Sequence, residues 1–242
     1  MAGIIDKLEM ARRMCPVIFL MDTSGSMDGA PIGAVNAAIE GVLPELTSMN
    51  DENGDAEISV AIMTFSAGAD WLTGEKLLLP QNVAWNNMDA MGPTDMGAAF
   101  RELNKKLSVE NGFMRRASGS VAPVLFLLSD GAPTDEYQSA LAKLKENNWY
   151  KVAVRVAVGY GDADDNVLTE FTGNRETVLH TEKPEELKRM IRFVSITSSM
   201  VASRKAATNA TESAPDDNTA ILAEELKAQG GEMKAASAEE EW

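Results

Sequence analysis

Residues 16–27 read Pro-Val-Ile-Phe-Leu-Met-Asp-Thr-Ser-Gly-Ser-Met. Six residues without a charge end abruptly in Asp22, and a short loop containing Gly25 follows. An apolar run of that length, unbroken by polar alternation, predicts a strand buried on both faces, as in a parallel sheet. A second run of the same kind, PVLFLLSDG over 123–131, also ends in an aspartate, Asp130. Further strands are predicted at 57–65 (EISVAIMTF), 152–158 (VAVRVAV) and 177–180 (TVLH), with a weaker one near 69–72 or 77–79.

Helical stretches lie between these runs. The spacing predicts helices over 31–49, opening with Pro31, and over 95–108, 135–147 and 164–172. The last, over 184–203, opens with Pro184 and carries Glu185 and Glu186 in its first turn, where the helix dipole favours negative charge. Strand and helix in alternation define an α/β fold with a mostly parallel central sheet, helices on both faces and one antiparallel edge strand.

Composition narrows the function. The 242 residues include 37 acidic against 22 basic side chains, for a formal charge of −15. Such a field repels phosphate backbones and anionic lipid, so nucleic acid and membrane surfaces are not expected partners. With 45% hydrophobic residues the chain can bury a core. The single cysteine, Cys15, excludes an internal disulfide and a thiolate-rich zinc site, and the single histidine, His180, excludes chemistry that needs two imidazoles. The opening MAGIIDKLEMARRMCP leads into an apolar run too short to span a bilayer and shows no small-residue cleavage site, which favours a cytoplasmic chain.

The chemistry gathers at the strand ends. Asp22, Ser24 and Ser26 place one carboxylate and two hydroxyls on one loop, three hard oxygens suited to Mg²⁺, Mn²⁺ or Ca²⁺ rather than to zinc or copper. In a doubly wound sheet the first strand and the strand that begins the second half lie side by side, and ligands bind in the crevice at their carboxyl ends. That puts Asp22 beside Asp130. Two carboxylates at close range repel, and a divalent cation between them removes the penalty. The simpler alternative is a strand-to-helix turn whose Asp and Ser cap backbone amides.

The combination DTSGS at 22–26, GPT at 92–94 and SDG at 129–131 closely resembles the von Willebrand factor type A domain. The resemblance implies a metal-ion-dependent adhesion site with Asp22, Ser24 and Ser26 from the first loop, Thr94 from the second and Asp130 from the third. It also implies hydroxyls that bind the ion directly, aspartates that bind directly or through water, and one open position for an acidic group of a protein partner. Thr94 could instead cap the helix that follows, as could Asp95. The stretch RMCPVIFLMDTSGSMDGAPIGAVNAAI, 13–39, is similar to the opening of bacterial cytoplasmic proteins of the tellurium-resistance TerY type. That closer likeness implies a stress response and kinase- or phosphatase-like partners. The organisation expected is a leader over 1–13, the domain over 14–203 and an acidic, alanine-rich tail over 204–242.

The tail is expected to be mainly solvated, because most of it lacks the apolar area to offset the entropy of ordering. The patch around Ile221, Leu222 and Leu226 within 218–229 leaves a short docking helix as the alternative. Asp51, Asn53 and Asp55 alternate like a calcium loop, but Ala56 stands where such a loop needs glycine. Asp162, Asp164 and Asp165 fit a loop and a helix start. Asp28 and Asp135 are expected as solvated surface residues, with tuning of the rim charge as the alternative, Cys15 in the core, and Met27, Met88, Met91 and Met96 either in the core or around the metal loops. Asn209-Ala210-Thr211 matches a glycosylation acceptor, of no consequence in a cytoplasmic chain.

The function expected is therefore a metal-dependent protein-interaction module. The competing reading is a Mg²⁺-dependent phosphoryl-transfer enzyme, or a metal-dependent subunit of a kinase- or phosphatase-type assembly docked through the tail. Asp22-Thr23-Ser24 lacks the second carboxylate of an Asp-x-Asp phosphatase, and the chain has no Walker loop, no G-x-G-x-x-G and no G-x-S-x-G. An enzyme is not expected.

Overall fold

The structure is a computed structural model that describes residues 12–52, 56–116, 119–130, 132–192, 196 and 218–228. Its elements run β1 (Arg13–Asp22), α1 (Ala30–Glu52), β2 (Ala56–Ser66), β3 (Gly68–Trp71), α2 (Met96–Lys106), β4 (Val124–Ser129), α3 (Gln138–Glu146), α4 (Asn148–Val152), β5 (Val154–Tyr160), α5 (Asp165–Thr172) and β6 (Val178–Thr181). Two further helices follow, α6 over 184–192 and α7 over 218–228.

The six strands form one sheet in the order β3-β2-β1-β4-β5-β6. All neighbours are parallel except the edge pair β2 and β3, which is antiparallel. The fold is thus the α/β architecture expected, with its switch point between β1 and β4. Every residue of β1 from Met14 to Asp22 is buried. Alternate side chains feed two cores, as strand geometry requires. Val17, Phe19 and Met21 join Val35, Ile39 and Leu46 of α1, whereas Ile18 and Leu20 join Phe100, Leu103 and Leu141 on the opposite face.

The departures from the expected elements are local. The weak strand splits: 68–71 pairs with β2, while Leu78 makes only an isolated antiparallel bridge to Val60. The helix expected over 135–147 begins at Gln138 and breaks at Asn147, whose backbone is extended and whose side chain accepts from the Trp149 amide to start α4. Residues 135–137 stay outside α3 because Asp135 turns toward α2, where it accepts from the Gly97 amide at 3.0 Å. The strand expected from 152 begins at Val154 because α4 occupies Asn148–Val152. The helix expected to reach 203 is described to 192; its continuation lies mostly outside the described residues.

The segment 218–228 is a docked helix, not a solvated one. Leu222 and Leu226 enter the core on the face of the sheet that α1 covers, with Leu187 and Ile191 of α6 in the same cluster. Thr219 Oγ1 donates to the Ala153 carbonyl at 3.2 Å and accepts from the Arg155 amide at 3.3 Å, so the helix start is tied to the opening of β5. The remainder of the tail, with Asn209, lies outside the described residues.

Candidate metal centre

The carboxyl ends of β1 and β4 deliver Asp22 and Asp130 to one crevice. Strand register explains the placement. Met21 of β1 pairs with Leu128 of β4, so one step further sets Asp22 beside Ser129, with Asp130 next along the chain. Asp22 Oδ1 accepts from the Ser24 amide at 2.8 Å, and Asp22 Oδ2 accepts from Ser129 Oγ at 2.6 Å. Ser26 Oγ donates to Asp130 Oδ1 at 2.8 Å across 104 residues of sequence. Ser24 and Ser26 Oγ are 3.1 Å apart. A hydroxyl has one proton, and that of Ser26 goes to Asp130, while the Ser24 hydroxyl stands within reach of both Ser26 and Asp22. The result is a connected set of oxygens, Asp22, Ser24, Ser26 and Asp130, with lone pairs left over.

Thr94 reaches the same place by its backbone. Its segment is stapled to the first loop where Gly25 N donates to Gly92 O at 2.9 Å and Met91 N donates to Thr23 O at 2.8 Å. It is stapled to the third loop where Thr94 N donates to Thr134 Oγ1 at 3.0 Å and Thr134 N donates to Thr94 O at 2.9 Å. Gly92 holds a φ of +84° at this crossing, a conformation that L side chains rarely adopt. The structure links Asp22, Ser24, Ser26 and Asp130 through hydrogen bonds of their side chains, and it bonds the loop that carries Thr94 to the first and third loops.

Burial makes the two carboxylates costly. Asp22 is fully buried, and desolvation raises its pKa against the opposing hydrogen bonds from Ser129 and Ser24. Desolvation also raises Asp130, with Asp22 and Asp162 adding repulsion while the Ser26 bond works the other way. Among the described residues no three His, Cys, Asp or Glu side chains form a metal-binding group. The donor set is instead two carboxylates with neutral hydroxyls, all hard oxygens, and it fits a hard divalent cation.

Several other sequence expectations resolve here. Asp95 occupies the N-cap position of α2 without a side-chain cap bond; Asp135 supplies the cap from another loop and pairs with Arg101 at 3.7 Å. Asp135 is thus a capping residue rather than a solvated one. Met27, Met88 and Met96 are buried, whereas Met91 is 69% exposed, so the apolar rim reduces to one side chain. Asp164 caps α5 by accepting from Asn166 N, and Asp165 Oδ1 lies 2.7 Å from His180 Nδ1. Asp51 lies in the last turn of α1, and Asn53 and Asp55 fall outside the described residues. Cys15 is buried, as expected. Sequence reasoning missed Ser129 and Asn36, since only the pairing of strands and loops brings them to their partners.

The model of the von Willebrand factor type A domain matches residues 17–192, and the chain belongs to that family. Domains of this family are typically non-enzymatic protein-interaction modules. The chain is similar to the mouse collagen alpha-6(VI) chain, at 27% identity over 179 residues, covering 72% of this chain and 7% of the collagen. It is similar in fold to proximal thread matrix protein 1 from the mussel byssus, solved with a zinc-occupied MIDAS motif, at a TM-score of 0.58 and 18% identity over 76% of this chain and 48% of that one. A von Willebrand factor type A protein from Catenulispora acidiphila gives a TM-score of 0.54 at 20% identity, covering 78% of this chain and 43% of the other. The chain thus spans under half the length of each of these three.

Proposed function

We propose that this chain is an interaction module that holds Mg²⁺, or alternatively Mn²⁺ or Ca²⁺, on Asp22, Ser24, Ser26, Thr94 and Asp130, and through it binds a carboxylate of a protein partner. The observation that carries the reading is the 2.8 Å bond from Ser26 to Asp130, which joins the first and third loops into one constellation of hard oxygens. When bound, the cation supplies a Lewis-acidic position that can accept a Glu or Asp side chain. The protein's own residues do the rest. The neutral hydroxyls of Ser24 and Ser26 contribute oxygens without adding charge, and the backbone staples at Gly25 and Thr134 hold the loops in register.

The surroundings refine the partner. Around β1, β4 and β5 the loops at this end of the sheet, 23–29, 84–95, 130–137 and 161–164, carry Asp28, Asp89, Asp95, Asp130, Asp135, Glu136, Asp162 and Asp164 and contain no lysine or arginine; Lys183 follows the edge strand β6. Repulsion by this rim disfavours a uniformly acidic partner, so the carboxylate that docks is set among basic residues. The proposed setting is a bacterial cytoplasm and a tellurite or related chemical-stress response of the TerY type, with kinase- or phosphatase-like proteins as partners. It is supported by the resemblance of residues 13–39. Neither nucleic acid nor a membrane surface has a role in it, in keeping with the net charge of −15. Among the described residues no helix is long and apolar enough to cross a membrane.

The test is affinity capture from bacterial lysate with wild type and Asp22→Ala, each in Mg²⁺ and in EDTA, read by mass spectrometry. A partner retained only by wild type in Mg²⁺ supports the module. Identical recovery in all four samples contradicts it and turns attention to the Mg²⁺-dependent enzyme.

A further inference from the structure

We infer that Ser129 is a positioning residue for Asp22, setting the plane of that carboxylate for the cation; the inference rests on the metal-centre reading above. Ser129 is fully buried at the end of β4, and its Oγ donates to Asp22 Oδ2 at 2.6 Å over 107 residues of sequence. The other Asp22 oxygen is held from within its own loop, by the Ser24 amide two residues on. The Ser24 hydroxyl and the Asp130 amide also act on this carboxylate, but both belong to loops, and a carboxylate held by loop groups alone can swing about its last torsion, which is broad for aspartate. A bond at the opposite oxygen, from a neighbouring strand, removes that freedom.

The anchor is rigid because of where it sits. Ser129 pairs with Gly159 of β5 and stands one register step beyond the pair of Met21 with Leu128, so its Cα is fixed by the central sheet. Asp22 itself closes β1 opposite Phe65 of β2. A rearrangement of the loop at 23–27 would disturb the Ser24 bond and leave the Ser129 bond in place. Each carboxylate oxygen has two lone-pair sites, and the Ser24 hydroxyl can turn from Asp22 to Ser26, 3.1 Å away, which leaves Asp22 able to face an ion or an ion-bound water. Support of this kind around metal ligands is worth 10- to 100-fold in affinity where it has been removed elsewhere. A buried hydroxyl that merely satisfied its own hydrogen bond would leave metal affinity unchanged when replaced.

The experiment is calorimetric titration with Mn²⁺ of the full chain as wild type, Ser129→Ala, Ser129→Cys and Ser129→Thr, with thermal unfolding in EDTA alongside. Cysteine nearly matches serine in size but is a weak donor, and threonine keeps the hydroxyl. The expected result is a loss of about tenfold or more for Ala and Cys, with Thr within about threefold of wild type. Should Ala fail to fold, the contrast between Cys and Thr decides. Wild-type affinity in Ala or Cys overturns the assignment, as does an equal loss in Thr and Cys, which would make the effect one of packing. No Mn²⁺ binding by wild type overturns the metal-centre reading and this inference together; binding by wild type with no effect of Ser129 overturns this inference alone.

Discussion

Asn36 of α1 and Met88 of the segment leading to Thr94 hold one another by two reciprocal bonds. Asn36 Nδ2 donates to Met88 O at 2.9 Å, and Met88 N donates to Asn36 Oδ1 at 2.8 Å. The carboxamide thus stands in for a strand neighbour, satisfying the donor and the acceptor of a chain segment that belongs to no sheet. Asn50 repeats the device with Ile58 at the opening of β2. Since the next fixed points after Met88 are the staples at Met91 and Gly92, Asn36 sets the approach of the second loop to the metal centre.

Replacing Asn36 by alanine leaves a buried amide and carbonyl without these partners. The expected cost is about 2–4 kcal/mol, from the penalty for unpaired buried polar groups. Denaturant unfolding measures it, and a metal titration of the same variant should show weakened affinity as the Thr94 loop loosens. Aspartate at this position keeps only the acceptor and should recover part of the stability.

His180 gives the chain a pH dependence of definite sign. Its Nδ1 lies 2.7 Å from Asp165 Oδ1 and its Nε2 lies 2.8 Å from the Gly161 carbonyl, both acceptors, so the doubly protonated ring satisfies both contacts. Burial lowers the pKa, but the bonds to Asp165 and Gly161 outweigh it, and the net direction is up from the ordinary 6.5. A raised native value means stabilisation that is complete below 6.5 and lost as pH rises through the native pKa. Stability should therefore fall across that interval in wild type and fall less in Asp165→Asn. Because the chain has one histidine, its ring signal reports the native pKa directly by NMR.

Metal should stabilise the protein more at neutral than at acidic pH. Desolvation raises the native pKa of Asp22 and Asp130 above the ordinary 3.8, so without metal the fold loses stability as pH rises through those native values. A cation that binds the ionised pair offsets this loss. The expected result is a Mg²⁺-induced rise in Tm that shrinks as pH is lowered from 7.5 toward the ordinary carboxylate value of 3.8. A rise that stays constant down to that value would place the binding elsewhere.

The helix over 218–228 belongs to the core. Leu222 is fully buried in the core cluster that also holds residues of α1 and α6. Leu222→Ala should cost about 2–5 kcal/mol, as buried leucine truncations do, seen as a lower denaturation midpoint. A midpoint equal to wild type would restore the reading of this segment as solvated.

What could be read from the sequence follows from which contacts are local. The runs 16–21 and 123–129 announce buried parallel strands because both faces of β1 and β4 are covered, and polar alternation is absent for that reason. Asp22, Ser24 and Ser26 share one loop, so their chemistry was visible as a motif. The docking of 218–228 depends on Thr219 meeting the start of β5, and three apolar residues in an acidic tail give too little sign of it. Asp135 as the cap of α2 depends on a pairing remote in sequence and leaves no local mark; Ser129 stands in the SDG run at 129–131, but its bond to Asp22 follows only from the pairing of β1 with β4.

The central claim is that Asp22 and Asp130 with their hydroxyl neighbours hold one divalent cation. It is tested most directly by titrating Mg²⁺ into wild type and Asp130→Asn by calorimetry. The asparagine removes one charge while keeping an oxygen to accept from Ser26. The account predicts one site per chain in wild type and loss of measurable binding in the folded variant. Equal affinity in the two proteins, or no binding to wild type, would contradict it.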